Sequence, residues 1–134
     1  MTKDEKNNRV TVTRRSVNSA RGISTKYRVV EEKNGMALLE IELLTGRTHQ
    51  IRAQAACHGH PLAGDKKYGG SPFPGKRDNS HKESFYLHAW RLELPAETTI
   101  SKTSVSADTP LPRLIEAPLP EKFRKKIMEL FGKA

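Results

Sequence analysis

Two arginines in the segment TGRTHQIR, Arg47 and Arg52, could bind an anion. Arg47 follows an alternating apolar pattern and a glycine, so we expect it to project from the end of a strand, where rigid scaffolds often carry functional groups. Its planar guanidinium can hold a carboxylate or a phosphate through two parallel hydrogen bonds. The residues alone leave two interpretations of Arg47 open: an anion-binding group, or one member of a structural ion pair.

The polar side chains around this segment match no metal or nucleophile pattern. His49, Cys57, His58, His60 and Asp65 lie close together, but they form neither a His-Glu-x-x-His arrangement nor a Cys-x-x-Cys pair. Cys57 stands among alanines and is predicted to be a small core residue. The sequence contains no Gly-x-Ser-x-Gly and no P-loop pattern. We therefore expect no metal site and no nucleophilic triad here.

The charge of the chain favours a polyanionic partner. The 134 residues include 24 Lys and Arg but 15 Asp and Glu, which gives a formal net charge of +9 at pH 7. Nucleic acid is the commonest partner of such a surface, and a merely soluble basic surface is the alternative. A single cysteine excludes an internal disulfide and suits a reducing compartment, so a cytoplasmic location is expected, with an organellar one as the alternative. No apolar run approaches the roughly 20 residues that span a bilayer, so no membrane partner is expected.

A β-hairpin over residues 26–44 is predicted to lead into the arginine segment. Asn34-Gly35 lies between its strands, and this dipeptide is the strongest two-residue hairpin signal because both positions tolerate positive φ. Glutamates alternate with leucine and isoleucine over residues 38–44. This alternation predicts one buried face and one solvent-exposed face.

A short helix is predicted over residues 48–58, directly after the turn that carries Arg47 (the arginine turn). Thr48 is a residue type that often caps a helix N-terminus, and Gly59 can supply the left-handed residue that follows a helix end. Ile51 and Ala55 share one face, and the small residues Ala53, Ala55 and Ala56 would let the helix pack close to a sheet.

The remaining chain divides into simple segments. Residues 1–22 are polar and are predicted to form a basic arm or an edge segment, ahead of a domain that occupies residues 23–134. Residues 69–84 combine Gly, Pro and charge without periodicity, which predicts a surface loop. Residues 85–94 alternate in a way that predicts a strand buried on much of both faces, with residues 98–106 as a candidate partner strand.

The C-terminal part is predicted to be extended and then helical. Residues 110–120 contain four prolines and are expected to be extended. Residues 121–131 are predicted to form an amphipathic helix whose apolar stripe packs in the core; the stripe consists of Phe123, Ile127, Leu130 and Phe131. Together these elements predict an α+β fold with a mainly antiparallel sheet and two helices.

Three linked segments resemble the RNA pseudouridine synthases of the RluA type. They are STKYRVVEE, LLTGRTHQIRAQAACHGHPLAGDKKYGG and FYLHAWRLELP, in the family's order and at its usual spacing. The likeness covers about residues 22–120. It implies an enzyme that isomerises uridine within rRNA or tRNA without a cofactor, acting on a nucleotide that has left its stack.

The resemblance also implies roles for particular residues. The family's essential catalytic group is an aspartate, and Arg47 would pair with it to keep it ionised and oriented. His49, Gln50 and Arg52 would brace the motif or meet the RNA backbone. Leu87 would belong to the apolar wall around the base.

The sequence departs from the family in one decisive respect. The family's aspartate lies in a segment of the His-Arg-Leu-Asp type, and no such segment occurs in these 134 residues. Asp4, Asp65, Asp78 and Asp108 stand in other contexts, and Asp65 matches the family's Gly-Asp turn. The chain is therefore predicted to correspond to the C-terminal half of a catalytic domain, with no catalytic residue of its own, and to be inactive alone.

Two other functions remain open at the level of sequence. One is a non-catalytic RNA-binding module that keeps the fold without the chemistry. The other is a small basic ribosome-associated protein that keeps the motif for packing. Because half a domain can expose apolar faces and unpaired strand edges, self-association or binding to a missing N-terminal half is also expected.

Overall fold

The computed structural model describes residues 2–4, 9–11, 21–74, 85–95, 99–100, 109–110 and 112–132. Its strands and helices follow in chain order: β1 (Thr2–Asp4), β2 (Arg9–Thr11), β3 (Thr25–Lys33), β4 (Met36–Leu43), α1 (Gln50–Cys57), β5 (Arg91–Glu93), β6 (Thr99–Ile100), β7 (Thr109–Pro110), β8 (Leu114–Glu116) and α2 (Glu121–Phe131). A 3-10 turn, Lys66–Tyr68, lies between α1 and β5.

The predicted α+β class is confirmed within the described residues. The strands form four two-stranded antiparallel sheets, which pair β1 with β2, β3 with β4, β5 with β8, and β6 with β7. The chain divides into two compact units, Met1–Tyr86 and Leu87–Ala134. The first unit carries the TGRTHQIR segment and the Gly-Asp turn that follows it.

The hairpin predicted over residues 26–44 is confirmed as β3 and β4. Asn34 and Gly35 join the strands with φ values of 53° and 72°, the positive values that a two-residue hairpin turn requires. Tyr27 lies opposite Ile41, and a β-bulge between Val29 and Glu31 shifts the register toward the turn end. The position of the turn therefore follows from the sequence, whereas the bulge was not predicted.

The predicted burial of one hairpin face is wrong. Tyr27 is 71% exposed, Leu43 is 48% exposed and Leu39 is 41% exposed. Two strands cannot cover their own apolar face, and a third strand or a packed helix is needed to bury it. The opposite face carries cross-strand ion pairs, including Lys26 with Glu42 at 3.7 Å.

The helix after the arginine turn is shorter than predicted at its start. It begins at Gln50, and the position before it is taken by His49 and not by Thr48. Its end agrees with the sequence, because Gly59 has φ 81° and its N–H donates to the Ala56 carbonyl at 3.0 Å. Of the small residues predicted to pack, Ala53 is buried and Ala55 and Ala56 are half-buried, and α1 also buries the polar residues Gln50 and Arg52.

The core of the first unit is small. Ala53 and Tyr68 are buried, and Ile23 and Ala56 pack against them. Cys57 is exposed, so its predicted place in the core is wrong, because it lies at the last helical residue, beyond the packed part of α1.

The loop predicted over residues 69–84 is described only to residue 74, and residues 75–84 lie outside the described part of the chain. Its described part is not purely a surface segment. Phe73 is buried and meets the half-buried Tyr86 edge to face, with ring centroids 5.4 Å apart. An aromatic anchor of this kind ties an irregular loop to a core.

The second unit corrects the prediction for residues 85–94. Only Arg91–Glu93 is a strand, and its partner is Leu114–Glu116; the described part of residues 98–106, Thr99–Ile100, pairs instead with Thr109–Pro110. Leu92 is exposed, since a two-stranded sheet leaves its faces open.

The final helix is confirmed at its predicted bounds, Glu121–Phe131. Ile127 and Phe131 are buried, and Phe123 and Leu130 are half-buried, so the predicted apolar stripe is the packed face. Lys126 is buried as well, and its ammonium group pairs with Glu129.

Candidate functional site

Arg47 is presented on an exposed turn that begins where β4 ends. Within the described residues its guanidinium makes no hydrogen bond, ion pair or ring contact. Its backbone is held on both sides: its N–H donates to the Oε1 atom of Gln50 at 3.1 Å, and its carbonyl accepts the Gln50 N–H at 3.0 Å. The turn thus fixes the backbone of Arg47 while leaving the charged group open to an anion.

Gln50 is the centre of this turn. Its side-chain amide is buried, and the residue is 3% exposed. The Oε1 atom accepts from Thr45 Oγ1 at 2.9 Å as well as from Arg47, and the Nε2 atom donates to the Ser24 carbonyl at 3.2 Å and to Thr25 Oγ1 at 2.9 Å. All four hydrogen-bonding positions of the amide are therefore used.

His49 adopts an unusual backbone conformation between these two residues. Its φ of 53° and ψ of 21° place it in the left-handed region, which non-glycine residues seldom occupy and which costs about 1–3 kcal/mol. Its Nδ1 atom lies 3.0 Å from the Tyr68 hydroxyl, and the two rings meet edge to face at 5.8 Å. The contact with Tyr68 helps to hold this strained residue in place.

Arg52 is buried and paired, in contrast to Arg47. Its Nε and Nη2 atoms donate to the two carboxylate oxygens of Asp65 at 2.7 and 2.8 Å. Arg52 is 8% exposed and Asp65 is fully buried. The guanidinium also lies 5.1 Å from the ring centroid of Tyr68 and 4.4 Å from that of Phe85. This bidentate pair links α1 to the Gly-Asp turn.

The turn that contains Gly64 and Asp65, the Gly-Asp turn, is closed by its own backbone. The Gly70 N–H donates to the Asp65 carbonyl at 2.8 Å, and the Tyr68 N–H donates to the Asp65 carboxylate at 3.3 Å. A Cβ atom on Gly70 would lie only 1.9 Å from the Leu62 carbonyl oxygen, so this position has room for glycine alone. The loop holds the Asp65 carboxylate against α1.

Leu87, the remaining residue predicted for the site, begins the second compact unit. It is 46% exposed. The first unit therefore supplies the turn of Arg47, and Leu87 stands in a separate unit as an exposed apolar side chain.

Sequence reasoning missed the ion pair between two of the buried polar residues, Arg52 and Asp65. Asp65 was assigned only to a turn, whereas it is the carboxylate that neutralises Arg52. A buried arginine requires an acidic partner, but the sequence alone did not show that Arg52 is buried. Among the described residues, no three His, Cys, Asp or Glu side chains form a group that could hold a metal ion.

Comparison with known sequences shows which proteins share this segment. The family model described as RNA pseudouridylate synthase matches residues 1–57, which include β3, β4, the arginine turn and α1. The resemblance to RNA pseudouridine synthases is confirmed. This match contains Arg47, His49, Gln50 and Arg52, but not the Gly-Asp turn or Leu87.

Curated pseudouridine synthases resemble the chain over longer stretches. "Ribosomal large subunit pseudouridine synthase D" of Nitrosomonas europaea is 46% identical over 80 residues, which is 58% of this chain and 23% of that protein. The protein of the same name from Haemophilus ducreyi is 39% identical over 107 residues, or 69% of this chain and 31% of that protein. An "Uncharacterized RNA pseudouridine synthase" of Chlorobaculum parvum is 39% identical over 111 residues, or 75% and 33%.

The chain spans between 23% and 33% of the length of these three synthases. No solved structure matches the chain. Within the described residues, no helix has the length and apolar character needed to cross a membrane.

Proposed function

We propose that this chain is part of an RNA pseudouridine synthase that isomerises uridine to pseudouridine in structured RNA. It supplies the arginine of the active site, Arg47, and takes the catalytic aspartate from a segment outside these 134 residues. The observation that carries the proposal is the contrast between the two arginines of the motif. Arg52 is buried on Asp65, whereas the guanidinium of Arg47 is exposed and unpaired among the described residues.

The chemistry assigned to Arg47 is electrostatic. Its guanidinium forms a bidentate pair with the carboxylate, which keeps that group ionised and fixes its orientation toward the uridine. The nucleotide reaches the site only after it leaves its stack, and Leu87 contributes to the apolar wall around the base. Arg47 is therefore a supporting residue, and His49, Gln50 and Arg52 brace the segment that carries it.

The proposal also accounts for the exposed apolar face of the hairpin, which carries Tyr27, Leu39 and Leu43. In the full catalytic domain this face is covered by the segment that brings the aspartate. In the isolated chain the same face promotes self-association. Sedimentation velocity over a range of concentrations tests this point, since a monomer at every concentration contradicts it.

The proposed role of Arg47 predicts that Arg47→Ala leaves the fold intact. An exposed side chain without a partner contributes little to stability, so the free energy of unfolding should change by no more than about 0.5 kcal/mol. Urea unfolding followed by circular dichroism measures the change, with Arg28→Ala as an exposed arginine control. A loss of several kcal/mol in Arg47→Ala alone would assign Arg47 to packing, as expected for a structural ribosome-associated protein.

The net charge of +9 favours a second candidate, a non-catalytic RNA-binding module. Both candidates predict that the chain binds RNA with an affinity that falls as the salt concentration rises. In a plot of the logarithm of the binding constant against the logarithm of the salt concentration, the slope should be about −0.7 for each phosphate neutralised on a single strand. Filter-binding titrations from low to physiological salt measure this slope. An absence of RNA binding at low salt would remove the module from consideration and weaken the RNA partner in both readings.

A further inference from the structure

We infer that Gln50 is the positioning residue of Arg47, and that its side-chain amide sets the direction in which the arginine leaves the sheet. The inference rests on the proposed function, because it takes Arg47 as the group that meets the carboxylate. Gln50 itself is buried beneath the exposed turn: it is 3% exposed and cannot reach an RNA strand.

The hydrogen bonds of Gln50 join three parts of the chain at one point. The Nε2 atom donates to the Ser24 carbonyl and Thr25 Oγ1 at the start of β3, and the Oε1 atom accepts from Thr45, two residues beyond the end of β4. The same Oε1 atom accepts the Arg47 N–H at 3.1 Å. One rigid amide group thus connects the backbone of Arg47 to both strands of the hairpin.

No other described residue accepts the Arg47 N–H, so this backbone group depends on Gln50. The turn that follows contains the left-handed His49, a conformation that persists only where surrounding contacts enforce it. Removing the amide would let the turn relax and shift Arg47. A displacement of about 1 Å is enough to impair a paired catalytic group severely.

The chemistry of the position requires an amide. The oxygen must accept two hydrogen bonds and the nitrogen must donate two, which a leucine cannot do at all. A glutamate keeps both acceptor contacts, to Thr45 and Arg47, but loses the donors to Ser24 and Thr25. The substitutions Gln50→Leu and Gln50→Glu therefore separate the contact to Arg47 from the contacts to β3.

The same helix offers a matched control one turn later. Gln54 is half-buried, and its Oε1 atom accepts a hydrogen bond from Thr25 Oγ1 at 2.6 Å. It contacts the same strand as Gln50 but makes no hydrogen bond with Arg47. Gln54→Leu thus removes a glutamine from α1 without touching the arginine turn.

The test is the exchange rate of the Arg47 amide hydrogen, measured by NMR in the wild-type chain and in each variant. We expect exchange roughly 3- to 10-fold faster in Gln50→Leu, as for the loss of one net hydrogen bond, and within about twofold of wild type in Gln54→Leu. Gln50→Glu should keep the Arg47 amide protected. Amides of β3 and β4 report overall folding and should change little in all three variants.

Unchanged exchange at Arg47 in Gln50→Leu would overturn the inference, and so would an equal increase in Gln54→Leu. If Gln50→Leu fails to fold, Gln50→Glu decides: retained protection supports positioning by Oε1, and loss of protection with an intact hairpin contradicts it. Because amide exchange needs no RNA and no turnover, this result is independent of whether the proposed enzymatic function holds.

Discussion

Arg52→Met and Asp65→Asn should each lower the free energy of unfolding of the chain by about 3–5 kcal/mol. Each change leaves one buried partner of a bidentate ion pair unsatisfied, which is among the most destabilising single substitutions. The pair joins α1 to the Gly-Asp turn at 2.7 and 2.8 Å, with Asp65 fully buried. Urea unfolding measures the loss.

An exposed ion pair of the same chain provides the control. Arg28 pairs with Glu40 on the charged face of the hairpin, where the Arg28 side chain is 71% exposed. Arg28→Met should therefore cost no more than about 1 kcal/mol. The double variant Arg52→Met with Asp65→Leu should lose less stability than the summed losses of the single variants Arg52→Met and Asp65→Leu. Simple additivity would show that the two side chains do not act as a pair.

Gly70→Ala should have the second large effect, a destabilisation of about 3 kcal/mol. The new methyl carbon would lie 1.9 Å from the Leu62 carbonyl oxygen and 2.9 Å from the Asp65 amide nitrogen, so the backbone must move. Forcing extra volume into a closed site of this kind costs about 1–3 kcal/mol, and here the obstacle is backbone that cannot rotate away. Thermal or urea unfolding of the variant gives the number.

Gly46→Ala is the matched control for this substitution. A Cβ atom at Gly46 meets nothing within 4 Å, and the residue does not have positive φ. Its stability should stay within about 0.5 kcal/mol of wild type. Equal losses at Gly46 and Gly70 would mean that the closed loop between Leu62 and Gly70 does not contribute to stability as described.

These two effects concern the same support. Asp65 and Gly70 close the loop that carries Tyr68, and the Tyr68 hydroxyl lies 3.0 Å from His49 Nδ1. His49 in turn belongs to the turn that presents Arg47. The Gly-Asp turn thus reaches the exposed arginine through a chain of direct contacts, although it contains no residue of the site itself.

Local sequence signals predicted the elements that depend on neighbouring residues. Asn34-Gly35 gave the hairpin because its conformational preference acts within two residues, and Gly59 marked the end of α1 for the same reason. The bounds of α2 followed from a strong apolar period.

The errors arose where burial or pairing depends on distant parts of the chain. Arg52 finds its carboxylate 13 residues away, and a charged residue is normally expected at the surface. The start of α1 was misplaced because the left-handed His49 takes the capping position that Thr48 was predicted to fill, and no side chain caps the helix there. The apolar face of the hairpin was expected to be buried because alternation predicts which face is apolar, but it does not supply the covering layer.

For the candidate site, one part was predicted from local residues, one part came from the resemblance, and one part could not be predicted. The placement of Arg47 just beyond a strand end followed from the alternating pattern and a glycine, without any knowledge of the family, but whether it binds an anion or forms a structural ion pair stayed open. The pairing of Arg47 with an aspartate came from the resemblance to pseudouridine synthases, and it stays a proposal. The support by Gln50 could not be predicted, because a buried amide with four partners depends on residues from two strands that meet only in the fold.

The most direct test of the central claim is the pseudouridine content of a ribosomal large-subunit RNA transcript after incubation with the purified, folded chain. The proposal predicts no pseudouridine above the buffer control, because the catalytic carboxylate proposed to pair with Arg47 is not among these 134 residues. The full-length Nitrosomonas europaea synthase D should modify the same transcript and serves as the positive control. Pseudouridine formed by this chain alone, and abolished by Arg47→Ala, would contradict the claim that its active site is incomplete.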